Sequence, residues 1–230
     1  MSEWWTYSLS DFLLFSPRVY YRLFELYNAA IWPLQIPALA LGAAILGLLL
    51  RDTAWRGRAI AAILATCWLW VAWAYLLQRY DTINWAASYF AGGFALEALL
   101  LAWTGIVRDR LRLRSGMDAA GVGGLGIFLF ALAAYPLIGP LAGRPWAQVE
   151  VFGVAPDPTA IATLGVLVAA QRPQWPLLVV PLIWCAISGA TLWTMRSPDA
   201  MVVPVAAALA LALTGWKSLA RPRQASPERT

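Results

Sequence analysis

The sequence predicts an all-α membrane protein, a polytopic bundle of about seven transmembrane helices. Of its 230 residues, 61% are hydrophobic and 13% are charged, whereas soluble domains are about 45–50% apolar and about 25% charged. Long apolar runs recur along the chain, and polar or charged residues bound each of them. Because so few charges could not cover a water-facing surface, we expect lipid to surround most of the chain.

Six of the apolar runs are long enough to cross the hydrocarbon core, which takes about 20 residues. They are residues 31–50, 58–77, 83–107, 119–141, 175–195 and 200–219. The fifth run in chain order is shorter. Its helix is predicted to start at Pro158, with Asp157 as the N-cap. From there to Gln171 the helix has about 14 residues and is roughly 21 Å long. This fifth span is predicted to be short or broken: residues 149–155 complete the crossing irregularly, or the helix lies in a cavity.

Residues 1–30 are predicted to form a separate element of one or two amphipathic helices in the membrane interface, anchored by Trp4 and Trp5. Its apolar residues recur at helical spacing, at Tyr20, Leu23, Phe24 and Tyr27. Residues 31–219 form the predicted seven-span membrane domain. The polar residues 220–230 are predicted to be a disordered cytoplasmic tail.

The distribution of Lys and Arg predicts the orientation. With the N-terminus outside, twelve of the 17 Lys and Arg residues fall in cytoplasmic segments and five fall outside, as the positive-inside rule requires. An even number of spans would break this alternation. We therefore expect a multi-pass protein of a bacterial inner membrane with a cytoplasmic C-terminus. The expected partners are the bilayer, with anionic headgroups on the cytoplasmic side, and either another membrane protein or a second copy of the chain, but no nucleic acid.

The absence of histidine removes His-based acid–base catalysis, His-containing triads, and most zinc and haem sites. Cys67 and Cys185 lie inside apolar runs and are predicted to be small buried hydrophobes. We therefore predict no metal site, no cofactor and no assignable catalytic residue, and an enzyme is less expected than a non-enzyme.

Glu97 is the residue that most strongly indicates a function. It lies near the middle of the third run, where a charged, lipid-exposed acid costs about 3 kcal/mol or more. No Lys or Arg lies at a matching depth in another run. We expect Glu97 to face the bundle interior, either as a proton relay or cation site, or as a neutral acid hydrogen-bonded between helices.

Asn84 and Ser88 are predicted to continue the polar side of Glu97 as a stripe toward the outer surface. Such a stripe suits either an entry path or a seam between helices. Gly92 and Gly93 are predicted to let another helix approach closely. The glycines of residues 121–126 match the literal dinucleotide-binding pattern, but no strand precedes them, so we interpret them as helix-packing residues.

Asp157, Thr159 and Asn28 form a second candidate set, all predicted on the outer side. Interrupted spans mark binding sites in transporters, so Asp157, Thr159 and Glu150 are candidates to line an outer vestibule. As a helix cap, Asp157 would instead satisfy its own helix. Asn28 ends the N-terminal element, where it is part of a shared outer polar site, a cap or an interface anchor.

Three stretches of the sequence resemble a known family. They are Trp4-Trp5-Thr-Tyr-Ser-Leu-Ser-Asp-Phe-Leu-Leu-Phe-Ser-Pro-Arg, Glu25-Leu-Tyr-Asn with Trp32-Pro33, and Phe152-Gly-Val-Ala-Pro-Asp-Pro-Thr with Thr163-Leu-Gly. Over nearly its whole length the chain resembles an uncharacterised family of bacterial integral membrane proteins, a domain of unknown function. The resemblance implies a bacterial inner-membrane protein of this size and implies no activity, substrate or site.

Three hypotheses about function follow from these residues. The first is a transporter or channel-like protein for a small solute or an ion, in which Glu97 titrates or binds a cation. The second is a non-catalytic accessory or scaffold subunit of a membrane complex, which abundant tryptophan and small-residue seams suit. The third is an intramembrane enzyme that would depend on acid chemistry alone, with Glu97, Asp157 and tyrosines.

Overall fold

A computed structural model describes residues 15–113 and 118–220, which are largely helical and contain no strand. The helices are α1 Pro17–Ile31, α2 Gln35–Leu50, α3 Arg56–Trp70, α4 Ala87–Leu101, α5 Ala119–Leu129, α6 Tyr135–Leu141, α7 Pro156–Ala169, α8 Trp175–Thr194 and α9 Val202–Leu219. π-Helical turns extend α3 through Val71–Leu77 and α4 through Ala102–Val107, and they join α5 to α6 through Phe130–Ala134. The predicted all-α bundle is confirmed.

Five continuous helical segments among the described residues are long and apolar enough to cross a membrane. They are Arg56–Thr82, Ala87–Val107, Ala119–Leu141, Trp175–Thr194 and Val202–Leu219. These segments coincide with five of the predicted runs, with ends displaced by a few residues. Because α2 and α7 are shorter, at 16 and 14 residues, the number of complete crossings stays a prediction.

The predicted first span is the second arm of a bent pair of helices. α1 and α2 meet at an angle of 91°, so α2 begins at Gln35 and not at residue 31. The bend follows from Pro33, which has no N–H to donate and disfavours the helical conformation at Trp32. At its other end α1 is capped by Ser16, whose side chain accepts a hydrogen bond from the Val19 N–H at 3.4 Å.

α1 buries the predicted apolar stripe against the protein rather than against lipid. Its buried residues are Tyr20, Leu23, Phe24 and Tyr27. They belong to the hydrophobic core of the bundle, where Phe24 stacks on Tyr75 with ring centroids 4.9 Å apart. Trp4 and Trp5 lie outside the described residues, and the position of this element at the interface stays a prediction.

α7 lies at the centre of the bundle. Every residue from Pro156 to Val168 is buried, and α3, α5, α8 and α9 all contact this helix. α5 comes closest, since Gly124 and Gly165 face each other and a Cβ at Gly165 would lie 2.6 Å from the backbone nitrogen of Phe128. The packing role predicted for the glycines of residues 121–126 is therefore confirmed at Gly124.

The connections between helices gather at two ends of the bundle. At the α1 end, α1 meets the α3–α4, α6–α7 and α8–α9 connections; for example, the Tyr21 hydroxyl lies 2.6 Å from Ser197 Oγ. At the α9 end, Gln171 N donates to the Arg112 carbonyl at 2.6 Å, and Lys217 Nζ donates to the Val168 carbonyl of α7 at 3.0 Å. The charge pattern assigned the same two groups of connections to opposite sides. Which end faces the cytoplasm stays a prediction.

Candidate functional site

Glu97 lies at the middle of the continuous helix Ala87–Val107. Ten residues precede it and ten follow it in this helix, so it is about 15 Å from either end. Its side chain is fully buried, on the α4 face that also carries Phe94 and Leu101 into the bundle. Since α4 packs on α3 and α8, Glu97 faces the protein interior, as expected.

Neither carboxyl oxygen of Glu97 has a hydrogen-bond partner within residues 15–113 and 118–220, although both are buried. An ionised carboxylate in this position would cost about 3 kcal/mol or more. The neutral acid, or a carboxylate with a bound cation, is therefore the stable form. The sequence also allowed Glu97 to be a neutral acid that is hydrogen-bonded to another helix. In the described part of the chain, no residue forms that hydrogen bond.

The predicted polar stripe from Asn84 through Ser88 to Glu97 does not form. Ser88 is exposed whereas Glu97 is buried, because nine residues make about two and a half helical turns and place the two on opposite faces. Asn84 lies before α4, where its Oδ1 accepts a hydrogen bond from the Ala86 N–H at 3.0 Å. Gly92 is exposed, and no heavy atom lies within 4 Å of a Cβ built there, so the predicted close helix approach at Gly92 is wrong.

An aromatic layer of Trp68, Phe94 and Trp184 lies one helical turn from Glu97, toward the α1 end. The Phe94 ring packs between the two indoles, with ring centroids 4.3 Å from Trp68 and 5.0 Å from Trp184. All three side chains are buried. The indole N–H of Trp184 donates to Asp157 Oδ1 at 2.7 Å, so this layer stands between Asp157 and Glu97.

Asp157 does not cap α7, which corrects the sequence prediction. The helix begins at Pro156, with Ala155 at the N-cap position and without a side-chain cap. The physical reason is that Pro156 and Pro158 have no N–H groups, so the first turn has fewer free donors for a cap to satisfy.

The Asp157 carboxylate instead points into the bundle and accepts three hydrogen bonds. Its donors are Trp184 Nε1 at 2.7 Å, Ser188 Oγ at 2.7 Å and the Tyr135 hydroxyl at 3.0 Å. Trp184 and Ser188 are four residues apart on α8, so their side chains lie on one face of that helix. Three donors compensate much of the cost of burying this acid.

Thr159 and Thr163 extend the polar side of α7 toward the middle of the bundle. Thr159 Oγ1 donates to the Ala155 carbonyl at 2.6 Å and accepts from the Gly153 N–H at 2.9 Å. Thr163 Oγ1 accepts from Trp68 Nε1 at 2.9 Å. The hydroxyl of Thr159, a predicted binding residue, is therefore occupied by backbone groups. Gly153 permits this turn because its φ is 81°.

Tyr27 and Asn28 of α1 satisfy the backbone of the irregular segment that precedes α7. Asn28 Nδ2 donates to the carbonyls of Ala147 at 2.9 Å and Val149 at 2.8 Å. The Tyr27 hydroxyl donates to the Val154 carbonyl at 2.9 Å. Backbone that is buried outside regular helices needs such hydrogen-bond partners, and here α1 supplies them. Asn28 thus contacts the same segment that carries Asp157, but it caps no helix.

Charged side chains converge at the α1 end. Arg144 forms a salt bridge with Asp199 and lies 4.3 Å from the centroid of the Tyr21 ring. Glu150 is buried, with 7% of its surface exposed, and its Oε2 has no hydrogen-bond partner among the described residues. It also interacts electrostatically with Asp157, Arg144 and Asp199. We call Glu150, Asp157, Asp199 and Arg144 the acidic cluster. Burial lowers the pKa of Arg144, but Tyr21, Asp199 and Glu150 raise it, and the net direction is upward. Arg144 is therefore charged.

Sequence reasoning found part of this arrangement. It placed Asp157, Thr159 and Asn28 at one end, and the structure brings all three to the segment before and at the start of α7. It missed the Arg144–Asp199 pair, which joins two connections that are distant in the sequence. The only available signal was that the charge pattern assigned both connections to the same side.

No group of three or more Cys, Asp or Glu side chains in the described part of the chain could hold a metal ion. The acidic cluster therefore lacks the geometry of a metal centre. What its arrangement can do is attract and hold protons, since three carboxylates there face one guanidinium.

The chain belongs to a family of unknown function, DUF6064, which it matches over residues 17–225. No curated protein and no solved structure is significantly similar to it. The resemblance to an uncharacterised domain family that was drawn from the sequence is confirmed. Because this family has no assigned activity, the residues themselves carry the functional argument.

Proposed function

We propose that this protein transports an ion or a small solute across a bacterial inner membrane, and that Glu97 takes up and releases a proton during transport. The observation that carries the proposal is the state of Glu97, fully buried at the middle of its helix with neither oxygen hydrogen-bonded to a described residue. An acid that only joins helices needs a partner on another helix. An acid that carries a proton does not need such a permanent partner, and acids within transmembrane helices commonly mark proton pathways.

The acidic cluster is the proposed entrance to the path at the α1 end. The cluster holds three carboxyl groups for one guanidinium. Burial and the neighbouring Asp157 raise the pKa of Glu150, so this group can take up a proton that enters from the α1 end. The excess of Lys and Arg in the connections of the α9 end supports an outward-facing α1 end.

The aromatic layer is the proposed barrier on this path. Phe94, packed between Trp68 and Trp184, separates Asp157 from Glu97. A proton that moves between the two acids requires a displacement of these rings or the entry of water between them. Such a movement would give Glu97 access to one side of the membrane at a time, as transport requires.

Proton flux into proteoliposomes tests the proposal. The purified full-length chain is reconstituted with a pH-sensitive dye inside the vesicles, and a potassium diffusion potential drives protons inward. We expect wild-type vesicles to acidify faster than protein-free vesicles, and Glu97→Gln to abolish the difference. Asp81→Asn is the matched control, because it removes an acid that is exposed in the α3–α4 connection, and it should leave the flux unchanged.

The proposal would be contradicted if folded wild type and Glu97→Gln gave equal proton flux. The comparison is made both with and without added gradients of ions and solutes. Both proteins must elute as single, equally sized species in detergent for this comparison. In that case the accessory-subunit hypothesis would become the better one, and co-purification of a membrane partner would be the next measurement.

A further inference from the structure

The α1 end also contains a cleft whose lining residues indicate a binding site that is independent of transport. It has a volume of about 680 Å³ and lies between α1 and the α3–α4 connection, and ligand pockets generally measure about 300–1,000 Å³. We propose that this cleft binds the phosphodiester headgroup of an anionic membrane phospholipid.

Two guanidinium groups give the cleft its charge. Arg18 and Arg22 line it one helical turn apart on α1, so both reach the same ligand. Arg22 forms a salt bridge with Glu25, which also lines the cleft, whereas Arg18 forms no salt bridge with any residue of the described ranges. Two guanidiniums and one carboxylate leave one positive charge. This matches the single negative charge of a phosphodiester, whose oxygens fit the paired N–H groups of arginine.

Apolar side chains beside the arginines indicate an amphiphile rather than a free anion. Val19 and Leu26 line the cleft with 43% and 51% of their surface exposed. Ile83 of the α3–α4 connection lines it from the other side and is half-buried. A lipid with its phosphate at Arg18 would cover these side chains with its glycerol and upper acyl carbons, which removes their apolar surface from water.

Exposed tryptophans place the cleft at headgroup depth. Trp85 and Trp146 are 67% and 69% exposed, and each lies two residues from a lining residue of the cleft, Ile83 and Gln148 respectively. Exposed tryptophan rings of membrane proteins concentrate at the level of the headgroups. The phosphates of the surrounding leaflet therefore lie level with Arg18 and Arg22.

Native mass spectrometry of the full-length chain tests the proposal, with phosphatidylglycerol or phosphatidylcholine added to the detergent micelles. We expect wild type to bind phosphatidylglycerol in preference, and Arg18→Gln/Arg22→Gln to weaken this binding about tenfold or more, which is about 1.4 kcal/mol. Arg196→Gln is the matched control: it removes an exposed arginine of the same end that does not line the cleft, and it should bind like wild type.

Equal binding of phosphatidylglycerol by wild type and the double variant would overturn the proposal. Competition arms with inorganic phosphate and glycerol phosphate separate the two sources of a phosphate group. If either displaces the lipid at equal concentration, the cleft is a site for a soluble phosphate and the lipid assignment is wrong. Arg18→Gln alone, which keeps the Arg22–Glu25 pair, provides the same comparison if the double variant does not fold.

Discussion

Replacing Asp157 by alanine removes the acceptor on which Trp184, Ser188 and Tyr135 converge. The indole N–H of Trp184 can only donate, so it would stay buried without an acceptor. Ser188 and Tyr135 both donate to Oδ2, so their hydroxyls lie near enough to turn toward each other and keep one hydrogen bond. One or two buried donors are then left over, at about 1–3 kcal/mol each.

The free energy of unfolding should therefore fall by about 3 kcal/mol in Asp157→Ala. Asp157→Asn keeps an oxygen for Trp184 and offers its amide group to the hydroxyls of Ser188 and Tyr135. The expected loss for asparagine is about 1 kcal/mol. The difference between the two variants measures what a polar side chain at this position contributes, because asparagine keeps the acceptor for Trp184 and replaces the second acceptor by a donor.

The assay is equilibrium unfolding of the purified chain by SDS in mixed micelles, followed by circular dichroism. Ser188→Ala is the control, since it removes one donor and leaves Asp157 with two others, and it should lose about 1 kcal/mol. An alanine variant as stable as wild type, or an asparagine variant as unstable as the alanine variant, would refute this reasoning.

Three further substitutions have expected outcomes. Phe94→Ala opens the aromatic layer and should raise proton flux into proteoliposomes. The double variant Phe94→Ala/Glu97→Gln should not show this increase. An increase that persists in the double variant would show that protons follow a path that avoids Glu97. Thr163→Val leaves the Trp68 indole without its acceptor and should lower unfolding free energy by about 1–3 kcal/mol in the same SDS titration. Gly165→Ala places a methyl group 2.6 Å from the Phe128 nitrogen and should cost about 1–3 kcal/mol; wild-type stability would show that α5 and α7 can separate without penalty.

Much of the fold follows from hydropathy because lipid imposes a simple length requirement on each span. The helix Ala119–Leu141 has the bounds predicted from the sequence. The buried stripe of α1 was also read correctly from its helical spacing. Composition identified the fifth segment as short, since prolines and an acid interrupt it before its apolar run.

The candidate site was less predictable because its contacts are long-range. Glu97 and Asp157 were identifiable because acids within apolar sequence need a physical reason. The sequence did not reveal that Asp157 turns away from its own helix toward Trp184, since this depends on how α7 and α8 pack. The polar stripe predicted for Ser88 and Glu97 was wrong because nine residues turn a helix by about two and a half turns, so Ser88 is exposed on the face opposite the buried Glu97.

Infrared difference spectroscopy of the chain in lipid tests the central claim most directly, by comparing wild type with Glu97→Gln in light and heavy water. The account predicts a carbonyl band of a protonated carboxyl group that is present in wild type, absent in Glu97→Gln, and shifted in heavy water as the proton exchanges. A Glu97 band that never shifts in heavy water, or no Glu97 carboxyl band at any pH, would contradict the role of Glu97 as a proton-exchanging group.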